Sequence, residues 1–85
     1  MLKIYYSPRF AKRFKRLPQR IKYKAFEKER LFRKDPFDAG LKTHKLHGGL
    51  SDCWSFSVDY SVRIIFSFEG ESVVRFHTIG GHEAY

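Results

Sequence analysis

Three features of this 85-residue sequence predict an α+β fold: a short apolar alternation at the N-terminus, a basic stretch with helical spacing behind it, and a return to period-two alternation through the second half. The expected order is an N-terminal strand, a two-helix hairpin, then three to four antiparallel strands completing one twisted sheet. Both helices should lie against one face of it. A chain of this length sits near the lower limit for independent folding, so residues 1–85 are expected to form a single domain around one core.

Leu2, Ile4 and Tyr6 alternate with Lys3 and Tyr5, which predicts the opening strand. Ser7-Pro8 is a helix-start signal: the serine hydroxyl can accept a bond from an early amide, and proline at the first position gives up an N–H that had no partner. Phe10, Phe14 and Leu17 follow at helical spacing, with Lys12, Arg13, Lys15 and Arg16 on the other faces. Pro18 interrupts. A second helix is predicted from there to about Lys34, with Ile21, Ala25 and Phe32 on one stripe and Glu29 four residues before Arg33 on its flank. Asp35-Pro36 ends it, and the turn-rich segment to Gly40 leads into the sheet. Trp54, Phe56 and Val58 alternate with Cys53, Ser55, Ser57 and Asp59. A tight turn near Tyr60-Ser61 should join them to the row Val62, Ile64, Phe66 and Phe68, whose alternates are Arg63, Ile65 and Ser67. Glu69-Gly70-Glu71 supplies the next turn, residues 72–79 a last strand and Gly80-Gly81 its end. A further short strand is expected around residues 45–50.

The chain is 42% hydrophobic with nine phenylalanines, five tyrosines and one tryptophan, enough large side chains for a packed core, so disorder is excluded. A single cysteine, Cys53, forbids an intrachain disulfide and fits a reducing cytoplasm. No apolar run approaches the roughly 20 residues that span a bilayer, and Met1 to Ile4 enter a strand pattern with no signal-peptide core, so neither export nor a membrane partner is expected. The net charge of +8 is unevenly spread: residues 1–45 carry 15 Lys and Arg against four acids, a net +11, whereas residues 46–85 carry two against five, a net −3. Such a footprint suits a phosphate backbone or an acidic protein, the ordinary alternative being a solvated basic helix face.

Four histidines in so short a chain are candidates for proton transfer near neutral pH. His44, His47 and His82 fall in loop-like contexts beside glycines, whereas His77 lies inside a strand and reads as structural or surface. Arg63 faces away from the apolar row, which would hold a planar guanidinium fork on a rigid strand, suited to phosphate. An ion pair with Asp59 or Glu71 is the ordinary alternative, as a packing plug is for Tyr85. A zinc site from His44, His47 and His82 is only weakly signalled, since no cysteine or carboxylate supports it.

Four segments together carry a resemblance: Leu41-Lys42-Thr43-His44-Lys45-Leu46-His47-Gly48; Trp54-Ser55-Phe56-Ser57-Val58; Tyr60-Ser61-Val62-Arg63-Ile64-Ile65-Phe66; and Ile79-Gly80-Gly81-His82-Glu83-Ala84-Tyr85. Over essentially its whole length the chain resembles the RelE/ParE superfamily of toxins from type II toxin–antitoxin systems, closest to the RelE, YoeB and YafQ branches. The resemblance implies a cytoplasmic, metal-independent endoribonuclease that cuts mRNA, on the ribosome, with no cofactor, and that is restrained by a cognate antitoxin. It implies that His44 is the general base for the ribose 2′-hydroxyl, that Arg63 holds the scissile phosphate, that His82 protonates the leaving 5′-oxygen and that Tyr85 orients or stacks on the substrate. Lys42, Lys45 and His47 would be further RNA contacts, with Lys12, Arg13 and Arg16 on the first helix. Two alternatives stay open: a ParE-like toxin that inhibits gyrase without catalysis, and a non-catalytic nucleic-acid or ribosome-binding module.

Overall fold

The computed structural model describes residues 2–50 and 52–81, and it resolves the two sequence patterns into two layers. Strand β1 (Lys3–Tyr6) feeds helix α1 (Pro8–Lys15), helix α2 (Gln19–Lys34) returns, and a 3-10 turn over Ala39–Leu41 leads into β2 (His44–Lys45), β3 (Trp54–Ser57), β4 (Arg63–Phe68) and β5 (Val73–Gly80). The sheet order is β1-β5-β4-β3-β2, with β1 parallel to β5 and every other pair antiparallel.

The Ser7-Pro8 signal forms as expected. Ser7 Oγ accepts the Phe10 N–H at 3.0 Å and donates to the His77 carbonyl at 2.6 Å, so the residue that starts α1 also ties it to β5. Pro18 caps α2 without a side-chain bond, and the Asp35 carboxylate takes the Phe37 N–H at 2.9 Å beyond its end. Glu29 and Arg33 pair at 3.1 Å, and Tyr6 donates its hydroxyl to the same Glu29 carboxylate, which joins β1 to α2. Both helices cover one sheet face. Phe32, fully buried, lies 4.8 Å from the Phe56 ring, 4.9 Å from Phe66 and 5.5 Å from Phe76; truncating such a residue to alanine costs about 3–5 kcal/mol.

Two local readings need correction. The extra strand begins earlier than residues 45–50, at His44, and the chain then makes a 3-10 turn over Gly48–Leu50. Phe68 does not extend the buried row: it is 38% exposed and packs with Phe37 and Trp54 at the sheet's end. On the face turned away from the helices, Ser55, Ile65 and Thr78 are buried side by side across β3, β4 and β5. A bulge between Ile65 and Phe66 sets Ile65 opposite Thr78 but Phe66 opposite Phe76, making His77 the extra residue of β5. His77 Nε2 lies 2.7 Å from Ser67 Oγ, a structural contact in keeping with its strand position.

Candidate active site

Strand register decides which candidate residues share a face. His44 pairs with Ser55, Ser55 with Ile65 and Ile65 with Thr78, so all four lie in one row on the helix-free side. Arg63 pairs with Ser57 and with Gly80, one row nearer the β3–β4 turn on the same side. With strands ~4.8 Å apart and a rise of ~3.3 Å per residue, the His44 and Arg63 Cα atoms are separated by about 12 Å, a span that an imidazole and a guanidinium can close around one phosphodiester. Lys45 instead pairs with Trp54, a side chain packed on the core, and so faces the other way from His44. His47 is exposed beyond the end of β2. His82 and Tyr85 lie outside the described residues.

Each of the two site residues in the sheet is held by one bond that leaves its chemistry free. His44 Nδ1 is 3.1 Å from the Lys42 carbonyl. A carbonyl oxygen only accepts, so Nδ1 carries the proton and Nε2 of the neutral ring keeps the lone pair a base needs. Lys42 reaches that position with φ of 52°, a left-handed conformation unusual for a lysine, which turns the chain from the 3-10 turn into β2. Arg63 donates from one terminal nitrogen to Ser57 Oγ at 2.9 Å, and among the described residues it has no carboxylate partner. Asp59 is occupied elsewhere: its Oδ1 accepts the N–H groups of Ser61 and Val62, both at 2.9 Å, and its other oxygen lies 4.0 Å from Arg20. A half-buried guanidinium with one neutral partner keeps most of its donors available to an anion.

Arg63 opens onto a cleft of about 590 Å³ whose lining includes Lys28 from α2, Lys42, Ser57, Asp59 and Tyr60. A second cleft of about 460 Å³, between α1 and the end of β5, is lined by Arg9, Lys12, Arg13 and Arg16 with Ile79 and Gly80. Because Gly80 is the β5 partner of Arg63, both clefts open at the same end of the sheet. Lys12, Arg13 and Arg16 are thus brought to the Arg63 end, and Arg9 and Lys28 join them. The sequence pattern singled out neither, since a lysine on a basic helix looks like any other until the fold places it. Cys53 is no nucleophile in waiting: burial, then the Asp52 charge, push its thiol above the ordinary value. Among the described residues no group of three or more His, Cys, Asp or Glu is placed to hold a metal, and no helix is long and apolar enough to cross a membrane.

No family model and no curated protein matches the chain in sequence. Solved structures do match it. The fold is that of toxins from toxin–antitoxin systems. Within that class it follows the RelE/YoeB/YafQ-like pattern: YafQ from E. coli strain BL21(DE3) superposes with a TM-score of 0.80 at 24% identity, covering 99% of this chain and 97% of that one. A YoeB/ParE toxin from Agrobacterium tumefaciens gives 0.82 at 18% identity over 95% and 99% of the two chains. The E. coli DinJ-YafQ toxin-antitoxin complex gives 0.78 at 25% identity over 98% and 94%.

Proposed function

We propose that the chain is the toxin of a toxin–antitoxin system and acts in the cytoplasm as a metal-independent endoribonuclease on mRNA, at the ribosome. The observation that carries this reading is Arg63, a strand arginine fixed by a serine hydroxyl with no described carboxylate partner, on the sheet face that also bears His44. In the reaction, His44 Nε2 takes the 2′-hydroxyl proton as that oxygen attacks the adjacent phosphorus. Arg63 meets the negative charge that builds on the pentacovalent phosphorus, the bond to the 5′-oxygen breaks, and His82 returns a proton to the departing oxygen. The products are a 2′,3′-cyclic phosphate and a 5′-hydroxyl. Tyr85 would align the substrate, and the α1 cations Lys12, Arg13 and Arg16, with Lys42 and His47, would contact the RNA. His77, held by Ser67, has no part in it.

YafQ is found bound to DinJ. By analogy the partner here is a cognate antitoxin, and a surface with this excess of Lys and Arg calls for an acidic segment whose grip weakens with salt. Growth arrest on induction, followed by end-group analysis of cut messenger, tests the reading. Wild-type protein should leave cyclic phosphate ends, and His44→Ala and His82→Ala should each lower cutting by about 10²–10⁴-fold. Arrest that survives both substitutions, without cut RNA, would overturn the nuclease and leave a gyrase-directed toxin or a non-catalytic binding module.

A further inference from the structure

The β3–β4 turn carries at its tip a residue that the fold does not use. Tyr60 is 101% exposed, and among the described residues it has no hydrogen bond, ring contact or cation contact. Tight turns ordinarily hold Asn, Gly, Asp or Ser, whose short side chains suit the geometry; a fully hydrated aromatic ring there contributes nothing to stability. Its mount is nevertheless firm. Besides the two amides that Asp59 holds, the Val58 N–H donates to the Val62 carbonyl at 2.8 Å.

Tyr60 lines the same cleft as Arg63, Lys42 and Lys28. Lys28 Nζ donates to the Gly40 carbonyl at 3.2 Å and has no carboxylate partner among the described residues, so its charge is anchored but unpaired. Asp59 is the cleft's acid, and it is engaged with the turn amides and Arg20. A bare aromatic side chain on the rim of a cleft lined by three cations matches the alternation of base and phosphate in single-stranded RNA. An acidic peptide would engage the cations but gain little from the ring.

Resting on the ribonuclease reading of Arg63, we infer that Tyr60 stacks on an unpaired base beside the phosphate that Arg63 holds, while Lys28 takes a neighbouring phosphate. The hairpin tip then sets the register in which a strand enters the site. Stacking of this kind tolerates any base, so it positions RNA without selecting sequence.

Binding of the full chain to a 2′-O-methyl single-stranded RNA of about eight nucleotides tests this without cleavage, because the probe lacks the attacking hydroxyl. Tyr60→Ala should weaken binding roughly 10-fold, whereas Tyr60→Phe and Tyr60→Trp should bind within about 2-fold of wild type. On an abasic oligomer of the same length, wild type and Tyr60→Ala should bind alike. Lys28→Gln should lower the slope of log affinity against log salt by about one. Wild-type failure to bind, equal affinity of wild type and Tyr60→Ala, or equal losses for Tyr60→Ala and Tyr60→Phe would each overturn the inference. Failure of the nuclease reading looks different: binding would still depend on an aromatic at position 60, but the ribose version of the probe would stay uncut.

Discussion

Two arginines project from the same side of the sheet, and their surroundings are opposite. Arg75, paired with Ser67 across β4, donates from Nε to the Glu69 carboxylate at 3.1 Å, and its guanidinium lies 5.7 Å from the Tyr5 ring centre. That carboxyl is held below its ordinary range, first by Arg75 and then by the Ser67 hydroxyl. Arg63, at the other end of β4, meets only the Ser57 hydroxyl among the described residues. They are the two Lys or Arg residues of the chain beyond residue 45, so the contrast is not one of abundance. A cation that has found its counterion inside the fold is structural. One left with a neutral partner on a rigid strand has been placed without being neutralised, and that is the arrangement an anionic substrate requires.

Substitutions can break this contrast. Arg63→Ala should lower RNA cleavage about 10²–10³-fold with no loss of folding cooperativity, while Arg75→Ala should leave cleavage unchanged; single-turnover rates and thermal melts on both proteins decide it. Equal losses would mean that the two ends of β4 do not differ in function. Ser57→Asp sharpens the comparison by giving Arg63 the counterion that Arg75 already has. Cleavage should fall at least 10-fold although the guanidinium remains, whereas Ser57→Ala should cost only a few-fold.

A third check belongs to the paired region. Burial, then the Glu29 hydrogen bond and charge, push the Tyr6 hydroxyl up to about 12. Because the folded value lies above the unfolded one, the stabilisation is fully present below the ordinary tyrosine range and is lost as pH rises through about 12. Ultraviolet titration should show one late tyrosine, and Glu29→Gln should bring it only part of the way back, since burial, the largest cause, remains. The smallest expected effect is at Thr78, whose hydroxyl is buried with no hydrogen-bond partner among the described residues. Thr78→Val should raise stability by up to about 1 kcal/mol in a denaturant melt, since nothing is lost with that oxygen.

Where one local rule dominates, the sequence was readable. Ser7-Pro8 began a helix, Glu29 and Arg33 met across a turn, and the Tyr60-Ser61 hairpin formed, because each depends on residues at most a few positions apart. Arg63 was legible as a strand residue facing away from the core, though not as an arginine without a counterion, because that depends on where Asp59 and Arg20 end up. The separation of Lys45 from His44 follows from a two-residue strand, too short for alternation to announce itself. Lys28 and Tyr60 belong to opposite halves of the chain, and only the return of α2 over the edge of β3 brings them to one cleft. Burial of Ser55 and Thr78 could not be seen from residue type, since small hydroxyl side chains are at home in either setting.

The parallel pairing of β1 with β5 has a consequence for biosynthesis. Strand β1 leaves the ribosome well before its partner β5 is made, and the Ser7–His77 bond that seals α1 to the sheet spans 70 positions. Local helices can form early in the nascent polypeptide, but the sheet cannot close around its long-range contacts until translation has passed β5. A nascent chain that stops short of β5 therefore lacks the strand neighbour of Arg63, and the cationic end is assembled only once β5 has been made.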